Sequence, residues 1–347
     1  MKRIVFGFIL ILLILGILVG YEWYGAFKKS KLIEQGIYPK EPFPVLPGTP
    51  WWQIPFLTLF SYLEKAWFCL GMAFLIAGAV QTFIPKELIV KHLGKRNPKS
   101  YFIAAFGGPL LSVCSCSIIP LFAAIKKRGA GLGPAITFLL ATPAINPAAI
   151  ILTFSLLFWK FAVGRIVLAL SAAIITGLLI DKIWGKEDTK EISTLKIDYQ
   201  EKPLNIKKDL IEWLKNVLDF VKKILPLVLI GIFIIGIVKI FLKPEIISRY
   251  LGQGIWQIAL ASIMGVVMYT PTLVEIPFVK ELLSLGMGTG PALAFLLTGP
   301  ALSLPSMLGV SKVIKWKIVL NYALIMWIVG IIGGLIFAWW VPQIKLI

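Results

Sequence analysis

The chain has one histidine and three cysteines in 347 residues, and only 15% of its residues are charged. A lone histidine, His92 in a basic loop beside Lys91 and Lys95, excludes a polyhistidine metal centre. Three cysteines, all within apolar segments, cannot build the disulfide framework of a secreted scaffold. No Walker A loop, Gly-x-Ser-x-Gly elbow or His/Glu metalloprotease signature is present, so no ATPase machinery is encoded. Soluble proteins carry about 25% charged residues. The shortage here, with 58% hydrophobic side chains and a mean hydropathy of +0.88, excludes a disordered chain and an ordinary soluble enzyme. The composition is that of an integral membrane protein.

The formal net charge is +18. The basic residues sit mostly in short loops between apolar runs, where they orient a membrane protein and touch anionic headgroups rather than nucleic acid. At about 20 residues per crossing, the sequence reads as an all-α polytopic protein of about nine apolar segments. Residues 1–24 form an N-terminal anchor helix with a cytoplasmic start; no small-x-small cleavage site follows Gly20, only the interfacial cluster Tyr21, Glu22, Trp23 and Tyr24. Residues 25–56 are a hydrophilic connection, 57–182 a first membrane repeat and 224–341 a second. Between them, 183–223 is a charged linker. Its Leu210, Trp213, Val217 and Val221 recur at helical spacing, which predicts an amphipathic helix on the membrane surface.

The two repeats match at an offset of 157 residues. Gly108 corresponds to Gly265, Gly133-Pro134-Ala135 to Gly290-Pro291-Ala292, Pro143 to Pro300, Trp159-Lys160 to Trp316-Lys317, and Gly177-Leu178 to Gly334-Leu335. Apolar sequence matches itself by chance at Leu and Ile, not at Gly, Pro and Trp without a gap, so the chain is duplicated. Lys and Arg crowd the loops at 85–99 and 126–128 in the first half, but 312–317 in the second. The basic side switches, which predicts an inverted repeat with an odd number of crossings per half and the cysteine-containing run re-entrant.

Both halves carry helix breaks at matching places: Gly107-Gly108-Pro109 to Pro120 and Thr142 to Pro147, then Tyr269-Thr270-Pro271 to Pro277 and Thr298 to Pro305. Proline frees the carbonyl one turn earlier. Free backbone groups at membrane depth are tolerated where they pack in protein or line a polar cavity. These breaks predict a solute pathway.

Candidate site residues lie in or beside the breaks. Cys114 and Cys116 are paired soft ligands for a thiophilic ion or metalloid. Cys69 reads as a small buried hydrophobe. Glu275 is an ionisable group inside an apolar segment, a proton-coupling candidate. Thr142, Asn146, Thr298 and Ser303, with Tyr269, are polar groups able to bind solute or to cap freed backbone. Arg165 reads as a helix-start or interface charge, and Asp181-Lys182 as a helix end. No cofactor is expected.

The segments CSCSIIP at Cys114–Pro120, FLLATPAINP at Phe138–Pro147 and FLLTGPALSLP at Phe295–Pro305 resemble the predicted-permease family that includes the ArsP-type organoarsenical efflux permeases. The resemblance spans about residues 57–340. It implies a multi-pass inner-membrane exporter whose Cys114 and Cys116 handle a trivalent organoarsenical or thiophilic metal. The second half departs from the arsenical exporters at Met268-Tyr269-Thr270-Pro271-Thr272 and at Glu275. The resulting expectation is a secondary-active permease, not an enzyme, exporting a small soft or hydrophobic solute by alternating access. Its partners are that solute and membrane lipid. The reading from another class is a membrane thiol redox carrier or enzyme that cycles Cys114 and Cys116 as a dithiol.

Overall fold

A computed structural model describes residues 2–34, 49–84, 86–94, 97–111, 115, 117–194, 205–241, 251–252, 254–268, 275–284 and 286–342. Among them every regular element is a helix, the structure that satisfies backbone polar groups without water. The first half holds α1 (Lys2–Glu34), α2 (Ile54–Phe83), α3 (Lys86–Leu93), α4 (Pro98–Gly107), a 3-10 turn at Pro109–Leu111, α5 (Ile118–Lys127), α6 (Leu132–Ala144), α7 (Pro147–Leu157) and α8 (Trp159–Thr194). α9 (Ile206–Phe241) leads to α10 (Ile255–Met268), α11 (Glu275–Ser284), α12 (Thr289–Ala301), α13 (Leu304–Val310) and α14 (Trp316–Trp340).

Four helical stretches among the described residues are long and apolar enough to cross a membrane: Val5–Gly25, Trp159–Gly185, Thr289–Val310 and Trp316–Trp340. The pair α6 and α7, bent by 42°, makes a fifth if it is one span. Two of the remaining apolar runs are divided or short. Gly107-Gly108-Pro109 splits the run at 101–125 into α4, the 3-10 turn and α5, while α10 is short.

The core is built on two fully buried helices. Every residue of α6 and of α12 is buried, and the two pack on each other. α8 and α4 cover α6, α14 and α10 cover α12, and α8 meets α14 across the middle. Small residues allow the tightest of these crossings. A β-carbon on Gly133 would lie 2.9 Å from Gly177 O, and one on Gly290 would lie 2.7 Å from Gly334 O. The second pair is the first displaced by the repeat offset.

The duplication extends to backbone angles. α5 and α11 have 10 residues each, and α6 and α12 have 13 each, at equivalent positions. Ile145 closes α6 at φ −118°, ψ 29°; Leu302 closes α12 at φ −120°, ψ 30°. Gly129 (φ 92°) and Gly286 (φ 99°) take the left-handed conformation needed just past α5 and α11. Phe158 departs from this symmetry: it enters α8 at φ 78°, whereas Lys315 enters α14 at φ −57°.

Three helices run differently from the reading of the sequence. α1 runs to Glu34 rather than ending near residue 24, because Ala26, Lys28, Lys29 and Leu32 favour helix. α8 continues through Asp181-Lys182 to Thr194, since neither proline nor an unpaired charge stops it there: buried Asp181 accepts a hydrogen bond from Tyr101 Oη at 3.1 Å. The amphipathic stretch after residue 204 is not a separate surface helix. It is the first half of the 36-residue α9, which packs on α2. Val217 and Phe220 are buried, Trp213 Nε1 donates to Leu75 O at 2.9 Å, and Asn216 Nδ2 donates to Thr82 Oγ1 at 2.9 Å.

Candidate functional site

α6 ends where Pro143 removes a backbone donor, and Asn146 restarts the chain as α7 by accepting from Ala148 N at 2.9 Å. The carbonyl of Ala144 is left free of helix by this break. Arg165, one and a half turns into α8, takes it: Nε donates to Ala144 O at 2.8 Å. The rest of the guanidinium is engaged as well. Nη1 reaches Thr153 Oγ1 on α7 at 3.4 Å, and Nη2 donates to Glu275 Oε1 at 2.5 Å. Glu275 opens α11, in the other half of the molecule.

Both side chains of this ion pair have zero exposure. A lone charge at this depth would cost many kcal/mol; a fork of hydrogen bonds to a carboxylate, a carbonyl and a hydroxyl offsets that cost. The second break also touches the pair. A β-carbon on Gly299, beside Pro300 in the last turn of α12, would lie 3.6 Å from Glu275 Oε2. The two proline breaks therefore meet at one buried charge pair.

Buried hydroxyls lie at the same two breaks. Thr142 Oγ1 donates to Phe138 O at 2.5 Å, and Thr298 Oγ1 reaches Ala294 O and Ser262 O, each at 2.9 Å. These bonds supply carbonyls near the prolines with a donor. Ser303 Oγ pairs with Ser306 Oγ at 2.5 Å, and Ser306 Oγ donates to Ser115 O at 2.8 Å, joining α13 to the segment before α5.

Of the residues singled out in the sequence, Thr142, Asn146, Thr298, Ser303 and Glu275 are all buried. Asn146 caps a helix, the two threonines bond to backbone carbonyls, and Glu275 belongs to the ion pair. Cys114, Cys116 and Tyr269 lie outside the described residues. Among the described residues no cluster of three or more His, Cys, Asp or Glu could hold a metal. His92 is exposed, with Nδ1 on Leu88 O at 2.9 Å, so it is a local helix contact.

Arg165 is the residue that sequence reasoning misplaced. It is not an interface charge; it is the largest fully buried side chain among the described residues. Repeat comparison carries the missing signal. Arg165 stands opposite Tyr322, and Glu275 opposite Ile118. At these two positions each half carries a charge, of opposite sign, where the other half has an uncharged residue.

UPF0718 protein MJ0584 of Methanocaldococcus jannaschii is 35% identical over 80% of this chain and 94% of its own length. UPF0718 protein YraQ of Escherichia coli is 27% identical over 82% of this chain and 80% of its own. A Streptococcus mutans relative, 23% identical over 72% of this chain and 83% of its own, is provisionally named a subunit of a two-component membrane permease complex. No solved structure matches. The family described as a predicted permease, ArsP_1, matches residues 54–339. With apolar helices long enough to span a bilayer and a family match over most of its length, the chain belongs to this predicted-permease family.

Proposed function

We propose that the protein is a secondary-active permease of the cell membrane, exporting a small soft or hydrophobic solute by alternating access. The observation that carries this reading is the fully buried Arg165–Glu275 pair at the meeting point of both broken helices. Buried charge is costly in a membrane protein and marks solute or ion pathways. Broken helices that pair across two repeats are the usual setting of such a pathway.

In this reading the repeats are inverted and exchange conformations. The pairing of α5 with α13 and of α7 with α11 supports it, because these two contacts are equivalents of one another under the repeat offset. Glu275 couples a proton, and Arg165 holds the carboxylate in place between cycles. Thr142, Asn146, Thr298, Ser303 and Tyr269 line the route. Cys114 and Cys116 bind the soft centre of the solute, a trivalent organoarsenical or thiophilic metal ion. The N-terminus is cytoplasmic, and the energy comes from an ion gradient.

The test is uptake into everted membrane vesicles, offering methylarsenite, arsenite, copper and zinc separately. The parent is expected to accumulate at least one of them and to lose accumulation when a protonophore collapses the gradient. C114S and C116S should abolish accumulation of that solute. Accumulation that is indifferent to the protonophore overturns proton coupling, and normal accumulation in both cysteine variants overturns the thiol site.

A further inference from the structure

Glu275 uses only half of its carboxylate. Oε1 receives Arg165 Nη2, while Oε2 is buried with no hydrogen-bond partner among the described residues. A buried carboxylate oxygen without a donor is costly, and native structures rarely leave one so. The neighbour it faces is Gly299, which offers no side chain.

Position 299 is not required to be glycine by packing. A β-carbon there would stand 3.4 Å from Gly265 O and 3.6 Å from Glu275 Oε2, both ordinary contact distances. Its repeat equivalent in α6 is Thr142, so the same place in the sister helix accommodates a hydroxyl-bearing, branched side chain. A hydroxyl that donates at about 2.7 Å has its β-carbon one bond farther off, which is the separation found here. The bare position therefore leaves room beside Oε2 for a donor that none of the described residues supplies.

We propose that Glu275 Oε2 and Gly299 form a donor-accepting subsite for the transported solute, which must present an O–H or N–H group and be neutral or cationic. This rests on the permease reading and narrows its substrate class: phosphate-like anions are excluded by the carboxylate. The solute's donor and a proton then compete for one oxygen, which is the linkage that exchange of solute for proton requires.

The test needs no solute. In detergent-purified protein, G299S supplies the missing donor from within, and G299A controls for filling the space. G299S is expected to melt about 2 °C or more above G299A, and the gain should vanish when E275Q accompanies both changes. A G299S protein no more stable than G299A, or not recoverable at all, overturns the subsite; so does a gain that persists with E275Q. In vesicles, G299S should reduce methylarsenite uptake at least about tenfold relative to G299A, as the internal hydroxyl occupies Oε2. Equal uptake by the two also overturns it. If the parent moves no solute at all, the permease reading fails, and the melting comparison still decides whether Oε2 awaits a donor.

Discussion

Arg165 on α8 and Glu275 on α11 bond to each other at 2.5 Å from opposite halves of a duplicated chain, at positions whose equivalents are Tyr322 and Ile118. Where one half carries a charge at each of these positions, the other carries an aromatic and an aliphatic side chain. Tyr322 and Ile118 are both fully buried. Charge is therefore not what this packing demands, and its presence on one side calls for a working role.

That contrast predicts the behaviour of substitutions at the pair. R165A or E275A alone leaves one buried charge unpaired and should cost about 3–5 kcal/mol of stability. R165Y/E275I copies the sister site and should recover most of that loss while remaining inactive in transport. Thermal melting in detergent checks this. A double variant no more stable than the singles would show that the two sites are not equivalent.

The glycine crossings give a second prediction. A β-carbon at Gly133 would fall 2.5 Å from Tyr101 Oη and 2.9 Å from Gly177 O; at Gly334 it would fall 2.9 Å from Gly290 O. G133A and G334A should each destabilise by about 1–3 kcal/mol through forced separation of helices. G299A, where every contact is at least 3.4 Å, should be close to neutral. Melting temperatures in the opposite order would contradict the packing described.

Asp219 gives a pH-dependent prediction outside the apolar half of α9. The hydrogen bond from Lys223, at 2.8 Å, holds its carboxyl below the usual carboxylate value of 3.8; burial acts the other way, and Lys127 at 3.4 Å adds to the lowering. A lowered value contributes stability that is present above pH 3.8 and is lost as the pH falls through the folded-state value. D219N should therefore melt slightly below the parent at neutral pH and match it in strong acid, with the gap shrinking in high salt. A gap that is unchanged in acid would contradict the assignment.

Much of this fold was legible before any coordinates. Gly, Pro and Trp matches give the duplication, and α6 and α12, with 13 residues each, stand at equivalent positions. The proline breaks and Glu275 were legible for the same reason: each violates what an apolar helix tolerates. Arg165 was not, because a charge six residues after Trp159-Lys160 looks interfacial when α8 is considered by itself. Its depth is set by α7 and α11 packing over it, a tertiary fact without local signature. Trp213 and Val217 misled in the other direction. Their spacing marks an apolar stripe equally well for lipid headgroups and for α2, and only the fold selects α2.

The most direct test of the central claim is solute uptake by everted vesicles carrying the parent or E275Q at matched protein levels, across methylarsenite, arsenite, copper and zinc. The account predicts that the parent accumulates at least one of these and that E275Q does not. E275Q vesicles that fill as fast and as far as the parent would contradict it.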